Sequence, residues 1–126
     1  MAGERILVVE DNDKNVRLFR DVLQAAGYRT LEATTGGAAV ELAVEQRPDV
    51  VLMDIQLPDI DGVETLRRLR ADELTASIPV LALTAQAMHG DRERFLAAGF
   101  DDYLSKPVDV VELVDVVERL CDGRGR

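Results

Sequence analysis

Four places in this chain set reactive side chains at the ends of short apolar runs. Glu10-Asp11 follows Ile6-Leu7-Val8-Val9, Asp54 follows Val50-Val51-Leu52-Met53, Thr84 follows Val80-Leu81-Ala82-Leu83, and Lys106-Pro107 follows the stretch ending in Leu104-Ser105. Carboxylates gathered in one place repel one another and raise at least one pKa unless a cation neutralises them. Hard oxygen donors, with no cysteine near them and one histidine in the whole chain, select magnesium, with manganese or calcium as substitutes, over zinc or copper. Magnesium commonly takes one or two carboxylates plus a phosphate, so Asp11 and Asp54 leave a phosphoryl ligand to be supplied. Lys106 suits a phosphate as a point charge, and the Thr84 hydroxyl can donate to a phosphoryl oxygen. A carboxylate beside such a cation and a lysine can attack phosphorus to give an aspartyl phosphate, and Asp54 is the expected nucleophile. Taken singly, a strand-end Asp is usually a solvated or capping residue, and Lys-Pro means little. Their joint placement is what argues for a site.

The elements that must bring these residues together are legible in the same sequence. Apolar runs alternate with amphipathic stretches five times, the pattern of βα units. Strands are expected at about 5–9, 29–33, 49–53, 79–83 and 101–105, with helices between them. The first helix carries Val16, Phe19, Leu23 and Ala26 on one face, and the last carries Val110, Leu113, Val114, Val117 and Cys121. Gly27, Gly36-Gly37, Pro48 and Gly99 punctuate the boundaries. Right-handed crossovers with helices on both faces give an α/β fold, a flavodoxin-like doubly wound (βα)5 sandwich on a parallel five-stranded sheet of order 2-1-3-4-5. The switch point of that order lies between strands one and three, the strands that end in Glu10-Asp11 and Asp54. Lys106, after strand five, must reach across toward Asp54.

The chain of 126 residues is expected to form one domain, with a core over about 4–121 and a short flexible tail at 122–126. A formal charge of -9 argues against direct nucleic-acid binding, which would call for a basic stripe. Cys121 is alone, so no disulfide within the chain can form. It reads as a small hydrophobe near the end of the last helix, in keeping with a reducing cytoplasm. The first apolar run is too short for a signal peptide or a membrane span, so no membrane insertion is expected.

Several stretches together closely resemble the receiver domain of two-component response regulators, over residues 4 to 121. Ile6 to Asn12 resembles the family's first strand and acid pair. Val51-Leu52-Met53-Asp54-Ile55-Gln56-Leu57-Pro58 with Asp61-Gly62 resembles its phosphoacceptor loop. Val80 to Ala85 is similar to the fourth strand with its switch hydroxyl, and Gly99 to Pro107 to the fifth strand block. The resemblance implies a signalling phosphoacceptor that assists its own phosphorylation and dephosphorylation, rather than an enzyme acting on a separate substrate. It makes Asp54 the phosphoacceptor, Asp11 a direct magnesium ligand, Glu10 a ligand through water, and Gln56 a ligand through its backbone carbonyl. Thr84 and Lys106 would bind phosphoryl oxygens, Ala85 would leave room for the donor, and Pro107 would follow a cis peptide bond. Glu10 stands where the family more often has Asp, and Gln56 and Gln86 occupy the positions that tune the lifetime of the acyl phosphate.

On phosphorylation Thr84 is expected to turn toward the new group, and the resemblance implies that Tyr103 then moves inward, reshaping the face formed by helix four, strand five and helix five. From its residues alone, Tyr103 reads equally as a half-buried strand aromatic. Helix four, expected to start near Ala87, has few apolar anchors and should be loosely held. His89 at its start reads as a surface residue, not a phosphodonor, so the phosphoryl group must come from a histidine kinase, a histidine phosphotransfer protein or a small acyl phosphate. A downstream protein target is expected, and a phosphorylation-dependent homodimer through the same face stays open. Met1 just before strand one and the few residues after 121 point to a stand-alone receiver relaying its signal by protein contact. The receiver of a hybrid histidine kinase or of a larger regulator is the alternative. A magnesium-dependent aspartyl-phosphate phosphatase would want a second acid where Gln56 stands, and a flavin carrier would want a hydroxyl-rich loop where Glu10 to Asp13 stand. A phosphorylation-independent binding module would keep the fold and leave Asp54 unmodified.

Overall fold

A computed structural model describes residues 3–85 and 91–124. The elements follow in strict alternation: β1 Arg5–Val9, α1 Asp13–Ala25, β2 Arg29–Ala33, α2 Gly36–Gln46, β3 Val50–Asp54, α3 Gly62–Ala71, β4 Val80–Thr84, α4 Asp91–Ala98, β5 Asp102–Ser105 and α5 Val110–Arg124. All strand pairs are parallel, in the order β2-β1-β3-β4-β5. In β3 and β4 every residue is buried, which is why these strands read as unbroken apolar runs rather than alternating ones.

Successive side chains point to opposite faces, so each strand supplies two cores. Leu7, Val9, Val51, Met53, Val80 and Ala82 pack with Ala39 and Ala43 of α2, Leu66 and Leu69 of α3, and Phe95 of α4. Ile6, Val8, Val50, Leu52, Leu81 and Leu83 pack with Phe19 and Leu23 of α1 and with Leu113, Val116 and Val117 of α5. Side-chain caps start the helices: Asn12 for α1, Thr35 for α2 and Asp61 for α3, each accepting from backbone N–H groups of the first turn. Asp109 does the same for α5, accepting from the N–H groups of Val111 and Glu112 at 2.9 and 3.1 Å.

The strand order and the number of units match expectation, and several boundaries move. β3 and β4 sit one residue later than the pattern implies and β5 begins one residue later, and the residues just before β3 and β5 turn their carboxylates to neighbouring backbone, Asp49 accepting the Arg5 N–H at 2.8 Å and Asp101 the Val80 N–H at 2.7 Å. Asp54 and Thr84 thereby become the last residues of their strands. Ala26, expected on the buried face of α1, is instead its exposed C-cap, since the helix ends at Ala25. On α5 the buried residues are Leu113, Val116 and Val117, while Val110, Val114 and Cys121 are half-buried. The helix also runs through Arg124, so residues 122–124, expected in a flexible tail, continue it. Each added residue keeps one more backbone bond at little nucleation cost. The expected start of helix four near Ala87, with Gln86, Met88, His89 and Gly90, lies outside the described residues.

Among the described side chains of α4, Phe95 alone is buried. Its ring meets Phe100 edge-on at 5.9 Å and Tyr103 at 5.8 Å, with the Arg94 guanidinium 5.0 Å above it. Phe95→Ala is therefore expected to destabilise the protein by about 3 kcal/mol and to strip α4 of hydrogen-exchange protection before the sheet loses any. Protection persisting in α4 would show that the helix has another anchor.

Candidate functional site

The carboxyl ends of β1, β3, β4 and β5 converge on one pocket. Chain direction explains the convergence: all strands are parallel, so the residue that leaves each one emerges on the same rim, and the rim opens where β1 and β3 send their connections to opposite faces. Glu10 leaves β1 with no exposed surface and Asp54 ends β3 at 4% exposure, while Asp11 is exposed. One oxygen from each of the three carboxylates can be chosen so that all lie within 4.8 Å of one another.

Lys106 spans the two buried acids. Its Nζ donates to Glu10 Oε1 at 2.9 Å and to Asp54 Oδ2 at 3.0 Å. The backbone that delivers it is held by a 2.7 Å bond from the Lys106 N–H to the Thr84 carbonyl and turns through a cis Lys106–Pro107 peptide, as the family pattern implied. The Lys106 side chain keeps 21% of its surface, and its stem borders a cleft of about 400 Å³ lined by Asn15, Leu18, Phe19, Pro107 and Val108.

The remaining bonds hold the acids in place. Glu10 Oε2 accepts from the Asn12 N–H and Oε1 also accepts from Asn15 Nδ2, both at 3.2 Å. Asp54 Oδ1 accepts from the Gln56 N–H at 3.0 Å. Gln56 thus touches the Asp54 carboxylate through its amide nitrogen, and its side chain is exposed. Thr84 is buried at the end of β4, and Ala85 beside it is exposed. Tyr103 is half-buried on β5, its ring packed on Phe95. Asn15 escaped the sequence reading. Its signal was its place one turn into a helix that begins right after the acid pair, which aims it back at Glu10.

Burial raises the Glu10 carboxyl pKa, and its hydrogen bond with Asp54 and that residue's charge push the same way against Lys106 and the Asn12 N–H. For Lys106 burial pulls the pKa down, but the bonds to Glu10 and Asp54 and their charges together outweigh it, so the net direction is upward. The amine therefore stays an ammonium. One ammonium against three carboxylates leaves an excess of negative charge. An all-oxygen donor set carrying such an excess fits a hard divalent cation, and it is the one such cluster among the described residues.

The comparisons with known proteins agree with this geometry. The family model for the response regulator receiver domain matches residues 6–118. The polar-differentiation response regulator DivK of Brucella anthropi is 44% identical over 113 residues, covering 90% of this chain and 92% of that protein. Among solved structures, the receiver domain of sensor histidine kinase PA1611 from Pseudomonas aeruginosa, which has a magnesium ion coordinated in its active-site cleft, aligns with a TM-score of 0.88 at 43% identity, covering 96% of this chain and 99% of that one. The Vibrio cholerae chemotaxis protein CheY4 aligns with a TM-score of 0.87 at 27% identity, covering 94% of this chain and 99% of that one. With the acids, the lysine and the cis proline at their places on a sheet of order 2-1-3-4-5, and a family match spanning nearly the whole chain, this protein belongs to the response regulator receiver domain family.

Proposed function

We propose that Asp54 accepts a phosphoryl group from a phosphohistidine on a histidine kinase or histidine phosphotransfer protein, and that the protein passes the signal on by contact with a downstream protein. The observation that carries this reading is Lys106 bridging Glu10 and Asp54 with Asp11 alongside. An Asp54 carboxylate oxygen attacks phosphorus, the P–N bond to the donor imidazole breaks, and the imidazole leaves with the bonding pair. The Gln56 N–H holds the plane of the attacking carboxylate. The Lys106 ammonium, already at the acceptor, faces the charge that builds on the phosphoryl oxygens, and the Thr84 hydroxyl donates to another of them. Asp11, Asp54 and the Gln56 carbonyl would hold a magnesium ion, with Glu10 acting through water and manganese or calcium able to substitute. When bound, that ion supplies charge neutralisation and orients the transferring group. Ala85, being small, would leave the donor room to approach Asp54, and the cleft beside Lys106, with Leu18 at 43% exposure, would offer the donor protein an apolar foothold.

The same residues that speed phosphorylation would serve its reversal, so the domain assists both. Thr84 and Tyr103 act as the switch. Phe95 joins the Tyr103 ring to α4, so inward motion of Tyr103 would shift the α4-β5-α5 face, through which the target binds and a phosphorylated homodimer would form. The unit that does this is the receiver over about residues 4–121, working in the cytoplasm. Among the described residues no helix is long and apolar enough to cross a membrane.

The test is intact mass after incubation with acetyl phosphate, with and without magnesium. One phosphoryl adduct that requires magnesium and maps to the peptide containing Asp54 supports the reading. No adduct at saturating donor, together with no spectral change on adding beryllofluoride, overturns it in favour of a phosphate-independent module.

A further inference from the structure

The loop from β3 to α3, residues 55–61, carries the main chain that flanks Asp54. Its two ends are closed onto the body of the protein: the Ile55 N–H donates to the Leu83 carbonyl at 2.9 Å, and the Gly62 N–H donates to the Ile55 carbonyl at 2.8 Å. Its outer part is tied to a different element. Asp59 reaches to the start of α2, where Oδ1 accepts from the Gly36 N–H at 2.8 Å and Oδ2 from the Gly37 N–H at 2.9 Å.

The two glycines make this approach feasible. A Cβ at Gly36 would lie 2.3 Å from Thr65 Oγ1 and 2.5 Å from Ile60 Cγ1, and one at Gly37 would lie 3.3 Å from Asp59 Oδ2. The loop is laid directly on the helix backbone. Helix α2 already has its own cap, because Thr35 Oγ1 accepts from the Ala38 N–H at 3.1 Å. That cap leaves the Gly36 and Gly37 N–H groups to be satisfied, and the acceptor that satisfies them comes from the loop that carries the Asp54 contact. The N–H groups of Gly37, Ile60 and Gly36 hold the Asp59 carboxyl down at about 2, so the tie is between an ionised carboxylate and a helix N-terminus. Its contribution is present above the ordinary value of 3.8 and is lost only as pH falls toward about 2.

We propose that Asp59 is a positioning residue for the phosphoacceptor loop: by clasping the Gly36 and Gly37 N–H groups it fixes residues 56–58, and with them the Gln56 main chain, in the arrangement in which the acidic cluster takes a divalent cation. This deepens the function proposed above and rests on it for its magnesium readout. Asp59 touches neither the phosphoryl group nor the acids; it acts through the loop.

Asp59→Ala, Asp59→Asn and Thr35→Ala separate the two roles, since Thr35→Ala removes a cap from α2 without touching the loop. Unfolding midpoint, magnesium affinity titrated with magnesium chloride alone, and metal-free hydrogen exchange of residues 55–61 are measured on each. The expected result is comparable loss of stability in Asp59→Ala and Thr35→Ala, with magnesium affinity about tenfold weaker and faster loop exchange only in Asp59→Ala. Asp59→Asn, which retains one acceptor oxygen, falls between it and the parent. Asp59→Ala that loses stability while keeping parental affinity and loop exchange overturns the proposal and leaves Asp59 as a helix cap. A parent that binds no magnesium removes the functional reading instead, and loop exchange in the same variants still decides whether Asp59 positions the loop.

Discussion

Asp54→Asn is expected to abolish phosphoryl uptake from acetyl phosphate while leaving the fold intact. The substitution preserves side-chain shape and removes the proposed nucleophile, and none of the neighbouring carboxylates is placed to replace it. Glu10 is locked by Asn12, Asn15 and Lys106, and Asp11 stands on the exposed rim. In magnesium-free buffer the variant should unfold within about 1 kcal/mol of the parent, because opposing effects offset one another. Asp54 faces two like charges and one ammonium, so neutralising it relieves repulsion, whereas the amide must give up one of the two hydrogen bonds to Gln56 and Lys106. Magnesium then separates the proteins. A ligand that binds only the native state at a hundred times its Kd stabilises by about 2.7 kcal/mol, and the parent should gain on that scale while the variant gains much less. Thermal melts with and without magnesium, beside intact mass, check both halves. An adduct on the variant would move the acceptor away from Asp54.

Lys106→Met is expected to slow phosphoryl uptake by about 10²–10³-fold, the usual cost of removing a donor aimed at developing charge. Methionine keeps an unbranched stem at the edge of the cleft that Phe19 and Val108 also line, so the cleft wall survives. The ammonium is what goes. Glu10 and Asp54, both buried, are left facing each other without a cation. Stripping one partner from a fully buried pair costs about 3–5 kcal/mol. With 21% of the lysine side chain exposed, water screens part of the repulsion, and a loss of about 2 kcal/mol is expected without metal. Added magnesium should restore much of the stability and little of the rate, since it replaces the missing charge but not a donor at the position of Nζ. Equal recovery of both would mean that Lys106 serves only to neutralise the acids.

The switch proposed above would run through aromatic packing. Tyr103 touches Phe95, and Phe95 is the described side chain that buries α4. A small shift at the end of β5 would thus meet a helix in which Phe95 alone is buried among the described side chains, the setting in which a modest free-energy change redistributes conformations.

Much of this architecture was legible in the chain alone. The runs Ile6 to Val9, Val50 to Met53 and Val80 to Leu83 read as strands covered on both faces, because apolar runs this short, bounded by charged and turn residues, fit a buried strand and fall short of a buried helix. Once those strands were parallel, the residues leaving them had to meet on one rim, and Glu10, Asp11, Asp54 and Lys106 do. The edge strand β2, with exposed Arg29 and Glu32, carried a weaker pattern and was placed by alternation as much as by its own residues.

What the chain could not reveal were the partners chosen across it. Lys106 was expected to reach Asp54, 52 residues away, and it also takes Glu10, 96 residues away. Asn15 turns back onto Glu10, and Asp59 closes onto Gly36 across 23 residues. Ala26 keeps the spacing of a buried face and yet lies past the end of its helix. Hydrophobic period reports how one element meets its own environment, so it can be read locally. A side-chain hydrogen bond or a helix end depends on what another element brings within about 3 Å, and only the folded chain decides that.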